Sequence, residues 1–349
     1  MKKMERYMRR ALQLAINGRG FVSPNPMVGA VITGPDGRII GEGWHRVYGG
    51  PHAEVNAVAS VSDEDSALFH QSTIYVTLEP CSHYGKTPPC AKLLIDCGFR
   101  RVVVGAGDPN PRVAGRGIAM LREAGIEVVE GVLGEECRLL NKRFMTAHSL
   151  GRPFVTLKWA QSADGFMDAE RGDHDKAVRF STPLSAVTVH ARRAVHDAIA
   201  VGAATAIADS PRLDTRLVAG RSPRPVVFDR AGLGIPGVLL DDSRKTIYIR
   251  EDRPLGETLA DFYRLENITS ILVEGGPSLL RSFIEAGLWD EAFVEVAPFM
   301  LGASGRAKAP AMPCAAADVR TCDSNMLFHY LSDGFITRFP AVSRSLQKA

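Results

Sequence analysis

The sequence lacks the features that mark several protein classes. Its six cysteines in 349 residues are too sparse for a disulfide scaffold. No apolar run approaches the roughly 20 residues that span a membrane, and Arg9 and Arg10 interrupt the apolar stretch that an N-terminal signal peptide needs. The formal net charge is only +3, without a run of basic residues that would bind a phosphate backbone. We therefore expect a cytoplasmic protein that binds neither a membrane nor nucleic acid.

The composition of the chain is that of a globular protein with two domains. Hydrophobic residues make up 45% and charged residues 23% of the sequence, and 349 residues exceed what one hydrophobic core usually organises. There is no fixed-period repeat and no low-complexity segment. A polar segment with Gly and Pro, residues 149–153 (SLGRP), precedes a new strand pattern. We place the boundary there, with domains at 1–148 and 149–349.

Helix and strand patterns alternate in the first domain. Met4, Met8, Leu12 and Ala15 recur at helical spacing and predict an amphipathic N-terminal helix. Residues 34–37 (GPDG) predict a hairpin turn between strands at 30–33 and 38–41. Further patterns predict helices at 52–60, 90–97 and 118–124, and strands at 73–78, 101–105 and 126–129.

The second domain shows the same alternation. Ser181-Thr182-Pro183 is a typical N-cap sequence for a helix that we expect to end near Ala194. Apolar patterns predict strands at 154–158, 198–201, 226–229, 246–249, 271–274 and 293–297. Strands that alternate with helices favour layered α/β sheets in both domains.

Four residues of the first domain form the pattern of a catalytic zinc site. His52 and Glu54 make an H-x-E motif, Cys81 follows Pro80 after a strand, and Cys90 follows after eight intervening residues. Zinc binds imidazole and thiolate, and a catalytic zinc keeps a fourth position for water. In zinc deaminases the Glu of H-x-E is not a ligand but moves protons from water to the departing ammonia. A zinc site without chemistry, or no metal at all, is the alternative interpretation.

Longer motifs around these residues resemble the bifunctional riboflavin deaminase–reductase family. Residues 23–31 (SPNPMVGAV) are similar to the family's NPxVG segment. Residues 50–54 (GPHAE) and 78–90 (LEPCSHYGKTPPC) are similar to its zinc motifs, including the eight-residue spacing, and 108–111 (DPNP) also fits. The TPPC ending differs from the PC-x-x-C of tRNA and cytidine deaminases.

The resemblance implies a fold and a set of site residues for the first domain. The fold would be a cytidine-deaminase-like three-layer α/β domain. His52, Cys81 and Cys90 would bind zinc, and Glu54 would be the proton shuttle. Asn25 would contact the pyrimidine or the ribose of the substrate.

In the second domain the residues alone indicate one candidate phosphate site. Residues 274–278 (EGGPS) join a buried strand to a helix, and a glycine turn at a helix N-terminus can hold a phosphate or pyrophosphate. A plain turn is the alternative interpretation. The family resemblance extends through 153–158 (PFVTLK), 162–165 (SADG), 193–199, 201–216 and 273–277 (VEGGP), so its motifs cover about residues 4 to 302.

This resemblance implies a dihydrofolate-reductase-like fold and NADPH as cofactor. The residues implied to line NADPH are Ala160, Thr205, Asp209, Gly276, Pro277, Ser278, Leu279, Leu280, Arg281 and Ser282. The residues implied to hold the phosphoribosyl substrate are Arg193, Leu213, Arg216 and Glu274. Since a guanidinium matches a phosphate with a bidentate fork, Arg193 and Arg216 are chemically suited to phosphate.

The sequence departs from the family between Glu170 and Ser181. Many members have a Ser-x-Trp-Ile-Thr segment here, whereas this chain has 175–181 (DKAVRFS), where Arg179 or Phe180 would take the place of the aromatic residue.

The resemblance implies a homo-oligomeric enzyme that deaminates a pyrimidine ribosyl phosphate and then reduces its ribosyl chain. Two alternatives stay open. One is an RNA or free-nucleobase deaminase with an unrelated appendage. The other is a deaminase whose C-terminal half binds nucleotide but has lost hydride transfer.

Overall fold

The computed structural model describes residues 2–84, 88–110, 114–172, 177–233 and 242–342. Parts of three segments discussed above therefore lie outside the described residues. They are residues 85–87 of the zinc motif at 78–90, residue 111 of the motif at 108–111, and residues 173–176 of the segment that departs from the family. The chain forms two compact units, Met1–Leu150 and Gly151–Ala349. None of the described helices combines the length and the apolar character that crossing a membrane requires.

The first unit contains a five-stranded sheet with the order β2-β1-β3-β4-β5. Strand β1 pairs antiparallel with β2 and β3, while β3, β4 and β5 run parallel. The strands are β1 (Gly29–Thr33), β2 (Ile39–Trp44), β3 (Thr73–Leu78), β4 (Arg101–Ala106) and β5 (Glu127–Glu130). The helices are α1 (Lys2–Ala15), α2 (Ala53–Ala59), α3 (Asp63–Ser66), α4 (Cys90–Asp96), α5 (Arg116–Glu123), α6 (Gly134–Leu140) and α7 (Lys142–Leu150).

Alternation along the strands gives this unit three layers. Ile74 and Val76 of β3 face one side of the sheet, in an apolar core that also holds side chains of α2, α4 and α5. Tyr75 faces the other side, where its ring lies 5.0 Å from that of Tyr7 in α1. Helices on both faces bury a central sheet, which is the predicted three-layer arrangement.

Most predicted elements of the first unit are confirmed. The structure contains the predicted N-terminal helix and the hairpin around residues 34–37. Strands β3, β4 and β5 and helices α2, α4 and α5 begin and end within a few residues of the predicted bounds. The buried face of α1 is rotated slightly from the expected one, because Tyr7, Ala11 and Leu14 are buried with Met8 and Ala15. Helices α6 and α7 were not predicted.

The second unit contains an eight-stranded sheet with the order β10-β9-β8-β11-β6-β12-β15-β14. The first six strands run parallel, and β15 joins β12 and β14 antiparallel. A separate antiparallel pair joins β7 and β13. The strands are β6 (Phe154–Gln161), β7 (Phe166–Ala169), β8 (Ala198–Gly202), β9 (Arg224–Phe228), β10 (Ile247–Ile249), β11 (Ser270–Val273), β12 (Glu291–Val296), β13 (Gly305–Lys308), β14 (Asp318–Cys322) and β15 (Asn325–Leu331).

The helices of this unit connect and cover the parallel strands. They are α8 (Pro183–Arg193), α9 (Ala203–Asp209), α10 (Leu255–Arg264), α11 (Pro277–Glu285) and α12 (Asp333–Arg338). The predicted cap of α8 is confirmed, since Thr182 Oγ1 accepts the N–H of Ser185 over 3.1 Å. Because parallel strands share one carboxyl edge, the residues that follow β6, β8 and β11 lie at the same edge of the sheet, where ligands of such sheets bind.

Candidate active sites of the two units

Three metal-binding side chains meet beside the carboxyl end of β3. His52 is the N-cap residue of α2, Cys90 is the first residue of α4, and Cys81 lies just past β3. The Nδ1 atom of His52 lies 3.6 Å from Sγ of Cys81 and 3.3 Å from Sγ of Cys90. The three ligand atoms lie within 4.8 Å of one another. The structure thus brings the three predicted ligands together.

Their chemistry and spacing fit a zinc ion. A tetrahedral zinc with ordinary bonds to nitrogen and sulfur separates its ligand atoms by about 3.6 Å, close to the distances from His52. The backbone N–H of Cys90 also donates to Sγ of Cys81 over 3.2 Å, a contact that favours thiolate. Three protein ligands leave a fourth position for water, which a catalytic zinc needs.

The two thiols share a proton unequally. A hydrogen bond from Cys90 lowers the pKa of Cys81 to about 4. The same contact, together with burial, raises the pKa of Cys90. Both cysteines would bind a cation as thiolates, so metal binding would release their protons.

Glu54 lies in the first turn of α2, directly beside the ligand cluster. Its side chain is 3% exposed, and burial raises the pKa of its carboxyl to about 7. The carboxyl also interacts with the thiol of Cys90. A buried carboxyl that takes up and releases a proton near neutral pH is suited to general acid–base catalysis.

Asn25 lies next to a histidine that the sequence analysis did not single out. Nδ2 of Asn25 lies 3.2 Å from Nε2 of His45, whose Nδ1 lies 3.0 Å from the carbonyl oxygen of Pro51. Since Nδ1 must donate to a carbonyl, Nε2 of neutral His45 accepts from the Asn25 amide. Burial lowers the pKa of His45, which keeps it neutral. Its ring packs edge-on against His52, with 5.5 Å between centroids, so Asn25 and the metal ligands belong to one site.

In the second unit the predicted glycine turn packs tightly at the carboxyl edge of the sheet. A Cβ on Gly275 would lie 2.9 Å from the backbone nitrogen of Gly202, which ends β8. The N–H of Gly276 donates to Oγ1 of Thr205 over 3.0 Å. Only glycine permits this approach of the two strand ends, and the turn leads directly into α11. The predicted cofactor residues Gly276 and Thr205 are thus in direct contact.

The rest of the predicted run, 277–282, forms most of α11. Leu280 is fully buried in the apolar core, and the hydroxyl of Ser282 donates to the carbonyl of Leu279 within the helix. Arg281 is exposed. Only the first turn of a helix has N–H groups without a partner inside the helix. Pro277 has no N–H and the N–H of Gly276 donates to Thr205, so a pyrophosphate could meet the backbone N–H groups of Ser278 and Leu279 rather than the whole run.

Ala160 and Asp209 lie further along the same unit. Ala160 is in β6, paired in register with Glu295 of β12. Asp209 ends α9, and its carboxylate accepts from Nη1 of Arg171 over 2.8 Å. Arg171 also donates to Asp168 over 2.9 Å, so Asp209 is held by a neighbouring ion-pair network.

The four predicted substrate residues lie in three different environments. Arg193 and Glu274 form a bidentate ion pair, with distances of 3.0 and 2.6 Å, and both are largely buried. Although burial opposes it, the charge of Arg193 holds the pKa of Glu274 below its ordinary value. Arg216 is half-exposed and pairs with Asp214. Leu213 is buried in an apolar cluster, and its contact with the substrate stays a prediction.

Lys158 is a charged residue to which the sequence analysis assigned no role. It lies in β6, between Leu157 and Trp159 of the apolar core. Burial lowers its pKa, while the carboxylates of Glu274 and Glu295 act in the opposite direction. In the sequence, a lysine among the apolar residues of this strand was the signal that could have pointed to Lys158 as a site residue.

The segment between Glu170 and Ser181, where the sequence departs from the family, places the aromatic side chain of Phe180 in the interior. Phe180 is buried and stacks on Phe299, with 5.6 Å between parallel rings. Arg179 is exposed. Which of the two takes the place of the missing aromatic residue stays a prediction.

Two family models match the chain. The model described as "Cytidine and deoxycytidylate deaminase zinc-binding region" matches residues 1–106. The model described as "RibD C-terminal domain" matches residues 153–319.

Whole proteins of similar sequence and structure match as well. The riboflavin biosynthesis protein RibD of Actinobacillus pleuropneumoniae is 39% identical, over 87% of this chain and 86% of that protein. RibD of Escherichia coli is 37% identical, over 86% and 89%. Among solved structures, RibD of Acinetobacter baumannii matches with a TM-score of 0.84 and 33% identity, covering 95% of this chain and 99% of that chain. A deaminase/reductase of Thermotoga maritima matches with a TM-score of 0.81, 35% identity and the same coverage.

Proposed function

The chain belongs to the RibD family of riboflavin-biosynthesis proteins, and on that premise we propose that it converts a pyrimidine ribosyl phosphate in two successive steps. Membership makes the chain a bifunctional enzyme, with a zinc-binding deaminase region and a reductase region. The predicted fold class, enzyme class and cofactors are thereby confirmed. The substrates and the roles of individual residues belong to the proposal.

The proposed substrates are those given in the description of a solved relative. The Thermotoga maritima protein is described as a diaminohydroxyphosphoribosylaminopyrimidine deaminase and 5-amino-6-(5-phosphoribosylamino)uracil reductase. In this chain the first unit would hydrolyse the 2-amino group of 2,5-diamino-6-ribosylamino-4(3H)-pyrimidinone 5′-phosphate. The second unit would reduce the ribosyl side chain of the resulting uracil to ribityl.

Deamination requires an activated water and a group that moves protons. A zinc ion held by His52, Cys81 and Cys90 would supply the activated water at neutral pH. Glu54 would take a proton from that water and give one to the departing ammonia. The observation that carries this proposal is the contact of the three ligands with buried Glu54 beside them.

Asn25 would bind the pyrimidine or the ribose of the substrate. The hydrogen bond between Asn25 and His45 fixes the orientation of the amide, and the carbonyl of Pro51 fixes the ring of His45. Because Pro51 directly precedes His52, the substrate contact and the metal ligand are held by one short segment.

Reduction requires a hydride, a proton and a residue that binds the phosphate of the substrate. NADPH, with its pyrophosphate at the turn of Gly275 and Gly276, would supply the hydride. Lys158 would donate the proton, since its partly buried ammonium interacts electrostatically with Glu274 and Glu295. Both arginines are paired with a carboxylate, but the side chain of Arg216 is 48% exposed and that of Arg193 is 12% exposed, so Arg216 is the arginine better placed to reach a phosphate.

Two assays on the purified chain test the proposal. Ammonia release is measured with the diaminopyrimidine ribosyl phosphate and, separately, with tRNA and free cytosine. NADPH oxidation is measured with the deaminated product. We expect activity with both ribosyl phosphates and none with tRNA or cytosine. Ammonia from tRNA would favour the nucleic-acid alternative, and a product that binds without NADPH oxidation would favour a non-catalytic second unit.

Two further expectations belong with this proposal. We propose that the enzyme is a homo-oligomer, which sedimentation velocity of the full chain tests. The cytoplasmic location likewise stays a prediction.

A further inference from the structure

A buried carboxylate next to the metal ligands has no part in the deaminase site described above. Glu79 directly follows β3, and 5% of its surface is exposed. Its backbone N–H continues the sheet by donating to the carbonyl of Ala106 over 2.8 Å. A charge in such an interior position is costly unless hydrogen bonds satisfy it.

Backbone N–H groups from two segments satisfy this carboxylate. Oε2 accepts from Gly115 over 3.0 Å and from Asp108 over 3.2 Å. Oε1 accepts from Gly117 over 3.0 Å, with the N–H of Ile118 at 3.5 Å. Three of these donors lie at the N-terminus of α5, where helical N–H groups lack a partner within the helix and the dipole favours negative charge. Glu79 therefore caps α5 from a distant part of the chain.

The start of α5 also lies directly against the segment that carries the metal ligand. A Cβ on Gly117 would collide with the carbonyl oxygen of Pro80. On the other side, the carbonyl of Cys81 accepts the N–H of Ala91 in α4 over 3.1 Å. The Pro80–Cys81 segment is thus held between α4 and α5, and Glu79 provides its hydrogen bonds to α5.

The contact with Asp108 extends this bracing to the segment that follows β4. Asp108 begins the segment after β4, and its Oδ1 accepts the N–H of Asn110 over 2.8 Å. Its carboxyl is close enough to His83 and Cys81 to interact electrostatically with both. One carboxylate therefore holds the metal-ligand segment and the segment beside it in a fixed relation.

We propose that Glu79 is a positioning residue of the deaminase, which sets the wall of the substrate site by holding the Asp108 segment and the N-terminus of α5 against the Pro80–Cys81 segment. This inference rests on the proposed deaminase function. Glu79 acts through backbone groups and does not contact the reacting atoms. Its loss therefore displaces the wall of the site while the three metal ligands keep their own side chains.

Glu79→Gln is the direct test, because the amide keeps the size of the side chain but turns one acceptor into a donor that faces N–H groups. We expect bound zinc to stay at wild-type stoichiometry and the KM of deamination to rise on the order of 10- to 100-fold, the scale of a small misplacement in an active site. The value of kcat should change less, and the kinetics of NADPH oxidation should not change.

Asp197→Asn is the matched control. Its Oδ2 accepts the N–H groups of Thr269 and Ser270 over 2.9 and 3.1 Å in the second unit. The substitution places the same wrong donor in a carboxylate site that is remote in sequence from the deaminase motifs. The KM of deamination should be that of the wild type.

The outcomes separate this inference from the function on which it rests. A wild-type chain that releases no ammonia contradicts the proposed function. An active wild type with a folded, zinc-loaded Glu79→Gln variant of unchanged KM contradicts the positioning role. If the variant does not fold, amide exchange in the wild type decides. Slow exchange at Gly115 and Gly117 supports the role, and exchange as fast as in an open loop overturns it.

Discussion

Cys90 provides the sharpest residue-scale test of the metal site. Cys90→Ser replaces a thiolate ligand by a poorer one, so we expect loss of zinc and of ammonia release, with NADPH oxidation retained. Cys97→Ser is the control, because Cys97 lies at the other end of α4 and outside the ligand cluster. Metal content by mass spectrometry and both assays check the prediction. Zinc at wild-type stoichiometry in the Cys90 variant would remove Cys90 from the ligand set.

Glu54 tests the chemistry separately from the metal. Glu54→Gln keeps the shape of the side chain but cannot take up a proton, so zinc should stay bound while deamination falls on the order of 10²- to 10⁴-fold. Glu64→Gln in the exposed helix α3 should leave turnover unchanged. Measurement of kcat per bound zinc distinguishes the two effects. Near-normal turnover in Glu54→Gln would mean that another group moves the proton.

Lys158 predicts the alkaline pH dependence of the reductase. An ordinary lysine has a pKa of about 10.4. Burial lowers the pKa of Lys158, so its ammonium loses its proton at a lower pH. If the ammonium donates the proton, NADPH oxidation should fall as the pH rises through this lowered pKa. In the Lys158→Arg variant the side chain stays charged, so the alkaline fall of any residual NADPH oxidation should move to higher pH.

Lys158→Met has a stronger expected effect, because it removes the proton donor altogether. Reduction should then fall on the order of 10²-fold or more, while ammonia release from the same preparation serves as the control. Wild-type rates of reduction in this variant would exclude Lys158 as the donor.

At the residue scale, the sequence predicted those site residues that lie in compact motifs. His52 and Glu54 are two positions apart, and the zinc chemistry of H-x-E with later cysteines is specific. His45 and Glu79 were missed, because their importance comes from partners far along the chain, such as Asn25 and Gly115. No local pattern reports contacts of that kind.

At the element scale, the connection from β11 to α11 is the feature most open to test. A Cβ on Gly276 would lie 2.9 Å from Oγ1 of Thr205, so Gly276→Val should displace the turn and weaken NADPH binding at least tenfold, on the scale of one lost hydrogen bond. Gly256→Ala in α10 is the control, since its added Cβ meets Leu288 at an ordinary 3.9 Å. Calorimetric titration of NADPH measures both variants. Equal affinity would show that the cofactor binds elsewhere.

The structure refines which glycine in this turn matters for packing. The sequence pointed to Gly276 as the place where a ligand approaches the backbone. The structure adds Gly275, whose Cβ would meet the backbone of Gly202 in the neighbouring strand. Such a constraint between two strand ends depends on the order of strands in the sheet, which a single turn motif does not contain.

Strands with a continuous apolar pattern were predicted well, whereas several other elements were missed, among them α10, although its apolar face follows directly after Pro254. Strands β6, β8 and β11 are almost continuously buried and were expected. Strand β14 is mostly exposed and α12 has six residues, so neither has enough periodicity to stand out from a loop. The two helices after β5 were missed for a related reason, because their short apolar patterns run on without a clear stop.

At the scale of the whole molecule, two compact units each carry a separate set of site residues. The metal ligands, Glu54 and Glu79 all belong to the first unit, whereas the glycine turn, Lys158 and Glu274 belong to the second. The variants above should therefore divide cleanly, each impairing one reaction and sparing the other. A variant of the first unit that also abolished NADPH oxidation of the deaminated substrate would contradict this division.

A single time course tests whether one chain performs the two reactions in order. The purified, zinc-loaded chain is mixed with the diaminopyrimidine ribosyl phosphate and NADPH, and ammonia and NADPH are followed together. We expect one ammonia released and one NADPH oxidised per substrate, with NADPH oxidation lagging behind ammonia release. Ammonia release without any NADPH oxidation, or NADPH oxidation that precedes it, would exclude this order of reactions in the chain.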